Sequence, residues 1–473
     1  MSAVDPGPGP DPLREGFLRG QEIVERTLAM SRADDCVVIV QDRTEANLRW
    51  ANNSLTTNGA MRSRQVSVIS IVGGAVGSVG RHVSTVDDLA LLVSASERSA
   101  RDATPAEDEM PLPAPGEPPQ DWDAPPAETS IGVFATLAPD LGEAFIRATS
   151  EGRLLFGFAE HNLTTTYLGT STGVRLRHDQ PTGKVELNGK TADRSRSVWA
   201  GVGTRDFTDV DLTELVGEVA AKLDWGSRQV DLPPGRYETL LPPSAVADLM
   251  VYLYWTAARR EAEEGRTVFS RSGGATRLGE KIAAVPVNLR SDPDEPGLQT
   301  APFLATESSG QGISVFDNGM PLGRTDWIRD GVLHNLVTPR WWAAKSDATP
   351  TSYVENLVLE DPGAARSTAE LIAGTRRGLL LTTLWYIREV DPQNLLLTGL
   401  TRDGVFLVED GEVTGAVNNF RFNESPVDLL GRMSEVGRTE RTLPREWNDY
   451  FTRAAMPTLR IPDFNMSSVS PAS

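Results

Sequence analysis

Cysteine is nearly absent from this chain of 473 residues: Cys36 is the only one. A lone thiol excludes an intrachain disulfide framework and every zinc or iron–sulfur site built on several cysteines. Histidine is almost as scarce. His82, His161, His178 and His334 are the four, and no two lie within five positions of each other, which excludes helix-borne metal pairs of the H-E-x-x-H type. Positive charge is in deficit, since 46 Lys and Arg stand against 65 Asp and Glu for a net charge of -19. That balance disfavours a nucleic-acid backbone or an anionic membrane surface as partner. No apolar run approaches the roughly 18 residues that a membrane helix needs; the strongest, residues 249–255, ends at Thr256 with Arg259 and Arg260 close behind. The N-terminus opens on Asp5-Pro6-Gly7-Pro8 where a secretory leader would show a basic start and an apolar stretch. These absences together predict a cytoplasmic protein.

With 39% hydrophobic residues, the chain has the material for two or three domains. Residues 1–12 read as a flexible tail. Residues 13–30 place Phe17, Val24 and Leu28 at helical spacing, and residues 36–40 and 66–72 read as consecutive antiparallel strands around a polar stretch with Asn52, Asn53 and Asn58-Gly59. Gly73, Gly74, Gly77 and Gly80 fit neither G-x-G-x-x-G nor a P-loop and read as turn or bulge glycines. Thr85 is placed to cap a helix from Val86 to near Arg101. Residues 101–128 turn rich in proline and carboxylates and poor in aliphatics, an acidic exposed loop or linker that cannot bury enough surface to offset its ordering entropy. Helices are expected near 140–150 and 209–223 with strands between them, and Asn188-Gly189 reads as a tight turn. Pro233-Pro234-Gly235 is the best domain boundary. Beyond it, an apolar helix over residues 245–264 precedes short strands punctuated by Asp317-Asn318-Gly319, Asp330-Gly331, Asp403-Gly404 and Asp410-Gly411. Ser367 and Glu370 form a capping-box pattern for one further helix. The fold class is therefore α+β: a domain over residues 13–232 with an antiparallel sheet and packed helices, then a β-rich domain with two helices over residues 233–473.

Local chemistry is sparse. His161 and His178 with a carboxylate leave a spatially assembled metal site open, although a lone histidine is more often a strand or surface residue. G-x-S-x-G is absent, and Cys36 lies in an apolar run, where a thiol is usually inert. The carboxylate pairs Asp292/Asp294 and Glu261/Glu263 read as solvated charge. Trp327, Trp341 and Trp342 offer a binding anchor, against the plainer reading that they fill the core of a hairpin.

A resemblance adds what the spacing lacks. The run from Val354 to Gly363, with Glu370-Leu371-Ile372, Gly378 to Thr382, Thr398-Gly399 and Val408 to Val413, is similar to the C-terminal domain of the TldD/PmbA family. Phe316 to Pro321, Arg324-Thr325, Ile328 to Leu333 and Pro457 to Ile461 fit the same family. The pieces cover most of residues 285–465, and residues 36–103 agree more loosely. The resemblance implies proteolysis of small or unfolded polypeptides by a heterodimer, in which a TldD-type subunit carries the zinc on H-E-x-x-x-H and a TldE (PmbA)-type subunit completes the substrate chamber. Aligned through Gly279-Glu280-Lys281-Ile282, that motif falls on Trp255-Thr256-Ala257-Ala258-Arg259-Arg260. Trp255 cannot replace an imidazole ligand, Thr256 has no carboxylate to activate water, and Arg260 would repel a dication. The family's cysteine ligand near the C-terminus is missing as well. The chain thus resembles a TldE/PmbA-like subunit with no catalytic or metal-binding residue of its own, its zinc expected in an H-E-x-x-x-H paralogue. The alternatives are a stand-alone peptide-binding scaffold and an independent hydrolase.

Overall fold

Alternating apolar residues in the first half of the chain fold into strands far longer than their apolar runs. The computed structural model describes residues 18–82, 86–402 and 404–470; the expected tail, Phe17, the Thr85 cap and Asp403 lie outside these residues. Strands β1 (Asp35–Ala51) and β2 (Ser54–Val72) form one hairpin. Its turn is Asn52-Asn53, with φ of 50° and 60°, the left-handed pair that a two-residue hairpin turn requires. Asn58-Gly59 instead lies within β2. Gly73 and Gly74, at φ 56° and 77°, turn the chain into β3 (Ala75–His82), and β4 (Arg153–Thr170), β5 (Arg175–Thr191) and β6 (Ser197–Thr204) complete an antiparallel sheet of order β3-β2-β1-β4-β5-β6.

The period of two along β1 divides this sheet into two different faces. Cys36, Val38, Val40, Ala46, Leu48 and Trp50 point to the side covered by α1 (Gly20–Met30), α2 (Val86–Asp102), α3 (Leu137–Ser150) and α4 (Leu212–Trp225). Val37 and Ile39 point the other way, onto Phe303, Val315 and Phe316 from the second half of the chain. Among the described residues α1 begins at Gly20, where Glu22 accepts the Arg19 backbone N–H at 3.0 Å. Asn188-Gly189, expected as a turn, lies inside β5, paired with Trp199 and Val198 of β6. Glycine is needed there for packing, because a Cβ on Gly189 would sit 2.2 Å from Val219 Cγ1 of α4.

The second sheet has fourteen strands among the described residues. Its centre is the strand Ala454–Val469, which pairs in parallel with Leu357–Glu360 and antiparallel with Gly235–Leu241, Phe420–Glu424 and Glu435–Thr442. One face of this sheet packs on α5 (Pro243–Trp255). The other face presents Leu240, Leu380, Phe406 and Val408 to α4, so α4 is sandwiched between the two sheets and its Trp225 ring lies 5.3 Å from Phe406.

Five α-helices lie in the second half of the described chain, where two were expected. The apolar helix breaks into α5 and α6 (Arg259–Glu263), and α8 (Thr368–Ala373) carries the anticipated Ser367–Glu370 capping box. The unforeseen α7 (Arg340–Ser346) follows Pro339, and α9 (Pro426–Arg432) is capped by Ser425 with Pro426 in its first turn; both are too short to show periodicity. Asp330-Gly331 and Asp410-Gly411 are two-residue hairpin turns with positive φ at both positions. Asp317-Asn318-Gly319 is not a hairpin turn. Asn318 is fully buried behind the turn Val315–Asp317 and exchanges hydrogen bonds with the Thr306 backbone at 2.7 and 2.9 Å.

Residues 103–128 contain no helix or ladder strand, only an isolated bridge from Pro105 to Ala75. The segment nevertheless straps the first sheet. Leu112 is buried beside Val37 and Ile39, Trp122 stacks edge-on to Tyr167 at 5.7 Å, and Asp121 takes Arg177 at 2.5 Å. Too poor in aliphatics to build a core, it inserts its few apolar side chains into surfaces that already exist.

Close approach of α2 to β3 gives a stability test. A Cβ on Gly77 would meet the Ser96 carbonyl oxygen at 2.2 Å and the Ala100 nitrogen at 2.3 Å, and backbone atoms yield little. Gly77→Ala should cost about 1–3 kcal/mol, read as a lower urea midpoint at unchanged slope.

Candidate functional site

Apolar side chains on every side make α5 a core helix: Ala245 to Tyr254 are buried almost without interruption. It stops at Thr256, whose hydroxyl donates to the Leu253 carbonyl at 2.9 Å. Ala258 is extended, at φ -70° and ψ 122°. There the chain makes one parallel bridge to Val337, which donates to Ala257 at 2.8 Å and accepts from Arg259 at 2.9 Å. The six positions from Trp255 to Arg260 therefore span two helices and an extended joint. Residues 255 and 260 thus lack the fixed rotation and rise that a continuous helix would set between them.

Each side chain in this stretch is engaged. The Trp255 ring lies 5.2 Å from Trp447, and its carbonyl accepts from the Tyr353 hydroxyl at 3.1 Å. Burial, with Glu261 nearby, pushes the Tyr353 phenol above its ordinary range. Arg260 donates to Glu264 and to Glu107 of the strap, both at 2.9 Å. Its guanidinium lies 5.0 Å from the Trp341 ring and 5.4 Å from that of Trp342, and the hydrogen bond to Glu264 is foremost in holding it charged. Lys345 covers Trp341 at 4.5 Å, and Trp342 donates to Glu263 at 2.7 Å. An indole, an alcohol turned to its own helix and a fixed cation are no ligand set for zinc. Among the described residues no cluster of three His, Cys, Asp or Glu is placed to hold a metal ion.

The other sequence candidates lie apart. His161 pairs with Gly183 and His178 with Thr166, so the two histidines are about 16 Å apart along the strands and on opposite faces. His161 is buried, with Nδ1 2.7 Å from Thr129 Oγ1 and Nε2 2.5 Å from the Arg205 carbonyl. His178 meets Gln180 at 3.0 Å. Burial raises the Cys36 thiol to about 11, far from reactive. Trp327 is a core residue donating to Ser291 at 2.9 Å, while Trp341 and Trp342 lie on α7 rather than in a hairpin. Glu263 is paired with Arg259 at 2.7 Å, and Asp292 accepts the Asp294 backbone N–H at 3.0 Å, the mark of a turn.

Sequence reading missed Asp248, inside α5. It is wholly buried; Oδ1 accepts from the Glu446 backbone at 2.8 Å, and Oδ2 has no hydrogen-bond partner among the described residues. Burial raises its carboxyl well above the usual range, because desolvation disfavours the charged form.

Two predictions follow from α5. Trp255→His, Thr256→Glu and Arg260→His combined should restore the letters of the motif yet retain no zinc above wild type by metal analysis after dialysis, because the joint at Ala258 separates the positions; stoichiometric zinc would refute that geometry. For Asp248, the folded state keeps a proton that the unfolded chain releases above pH about 4, so stability falls as pH rises from there toward the raised folded pKa. Asp248→Asn should flatten that fall, seen in urea midpoints measured at several pH values.

Comparison with known proteins matches this architecture. Residues 234–468 match the family described as PmbA/TldA metallopeptidase C-terminal domain, and residues 36–100 match PmbA/TldA metallopeptidase domain 1. No curated protein sequence matches the chain. Among solved structures, TldE from Thermococcus kodakarensis is similar with a TM-score of 0.77 at 18% identity, over 94% of this chain and 98% of that one. A candidate modulator of a DNA gyrase from Thermotoga maritima gives 0.75 at 17% identity, over 94% and 99%, and one from Bacteroides thetaiotaomicron 0.72 at 16%, over 95% and 98%. At these identities the structures speak to the fold alone, whereas the two family matches together span more than half of the chain: it belongs to the PmbA/TldD family.

Proposed function

We propose that this chain is the TldE/PmbA-type, metal-free subunit of a two-subunit metallopeptidase that cleaves small or unfolded polypeptides. One observation carries the reading: within a metallopeptidase family, the positions aligned with H-E-x-x-x-H hold Trp255, Thr256 and Arg260 on an interrupted helix, with Arg260 fixed between Glu264, Glu107 and two indoles. A paralogue with the intact motif would supply the zinc and the activated water. This chain would supply walls and strand edges, along which an extended peptide hydrogen-bonds through its backbone whatever its side chains. We place the complex in the cytoplasm: the one cysteine is a buried thiol, and among the described residues no helix is long and apolar enough to cross a membrane.

Reconstitution tests this. Mixed with an H-E-x-x-x-H paralogue from the same cell, the chain should co-elute as a heterodimer, and cleavage of an unfolded polypeptide should require both proteins. Zinc should follow the paralogue when the two are separated, and chelation should abolish activity. If the chain elutes alone and leaves the paralogue's activity unchanged, the proposal fails.

A further inference from the structure

Two apolar clusters lie on the helix face of the first sheet, one under α1 and α2 and the other under α3 and α4. A polar row runs between them. Arg64, Asp42, Thr165 and Asp179 stand side by side across β2, β1, β4 and β5, and the period of two turns them to the same face as Val40 and Ala46. Thr44, His161 and Tyr167 flank the row on that face. Asp42, Thr44, His161 and Thr165 are buried, and what bonds to this band from above is the end of the strap, residues 121–129.

Those residues are held mainly through their backbone. Tyr167 donates its hydroxyl to the Ala124 carbonyl at 2.9 Å, and Arg177 donates to the Pro125 carbonyl at 3.0 Å. The N–H groups of Ala127 and Thr129 donate to the hydroxyls of Thr165 and Thr44 at 3.0 and 2.8 Å. Thr165 in turn donates to Asp179 at 2.5 Å, which leaves its lone pairs for the Ala127 N–H. Side chains add three contacts: Asp121 with Arg177 at 2.5 Å, Trp122 edge-on to Tyr167 at 5.7 Å, and Thr129 Oγ1 with His161 Nδ1 at 2.7 Å. The sheet thus reads main-chain groups that every polypeptide carries. None of residues 121–130 is itself buried. Their departure breaks no ladder and, Trp122 aside, withdraws no aromatic or long aliphatic side chain from the sheet, and water replaces each hydrogen bond at small net cost. A strip that stays covered for good is least costly when apolar, whereas this one is polar along its length.

We propose that this band is a binding groove for extended polypeptide, and that residues 121–129 are its occupant in cis, exchanging with an unstructured segment of another molecule. The contacts define the ligand: an acidic residue for Arg177, an aromatic one beside it for Tyr167, then a main chain carried past Thr165 and Thr44 whatever its side chains. The groove does not rest on the peptidase-subunit reading. Fluorescence anisotropy of a labelled peptide of residues 120–130, titrated with the full chain, tests the proposal. Asp121→Ala combined with Trp122→Ala weakens the cis occupant, so that variant should bind the free peptide at least about tenfold more tightly than wild type does. Methylating the peptide's backbone nitrogens at Ala127 and Thr129 removes both donors and should weaken its binding to the variant about tenfold. No binding to the variant, no gain over wild type, or equal binding of the methylated peptide overturns the proposal. If the variant unfolds, hydrogen exchange on the wild-type chain decides. The amides of Ala127 and Thr129 should then exchange at least about a hundredfold faster than those of Val38 and Val40, and a smaller ratio overturns the proposal.

Discussion

The strand Ala454–Val469 is the constraint on which the second half of the molecule rests. Its alternating Ala454, Met456, Leu459, Ile461, Phe464 and Met466 enter the largest core, and its two edges serve four partner strands. Arg460, nearly enclosed, bonds to Glu435 at 2.8 Å, Glu238 at 2.6 Å, Thr375 at 2.7 Å and the Leu371 carbonyl at 3.0 Å. One side chain therefore ties together segments from four parts of the chain, a network in which loss of any member leaves buried groups unpaired. α5 packs directly on this strand, so Trp255 and Thr256 at its end inherit their positions from the same pairing.

α5 also meets the segment after residue 443 at two points. Asp248, near its middle, receives the backbone of Glu446, and Trp255 closes it against Trp447. Seven residues of helix place these points about 10 Å apart. The helix is apolar on every side, which gives the rigidity that a wall needs, and the joint at Ala258 then turns the chain away before Arg260. Around Arg260 the space is filled by two indoles and two carboxylates.

Much of this was legible from the chain itself. Apolar runs located the cores of β1 and β2, Gly73-Gly74, Asp330-Gly331 and Asp410-Gly411 gave turns, and Ser367 with Glu370 gave α8, because these signals act over two to four residues. Features set by distant partners were hidden. Asn188-Gly189 spells a turn, yet its glycine answers to Val219 on a helix thirty residues away. The break at Ala258 comes from Val337, and α7 and α9 are single short helices without a period to read. The comparison of Trp255, Thr256 and Arg260 with H-E-x-x-x-H rests on family resemblance, since no spacing within the chain points to them.

The first sheet needs Phe303, Val315 and Phe316 to cover its second face, and the second sheet needs Ala454–Val469 at its centre. On a ribosome adding about 5–20 residues per second, about 100 residues separate the end of β6 from Phe303, the first of those covering residues. For those seconds the emerging sheet shows a bare aliphatic surface, screened in part by the strap that carries Leu112. That aliphatic face is therefore open during synthesis, and it closes once the chain has passed Phe316.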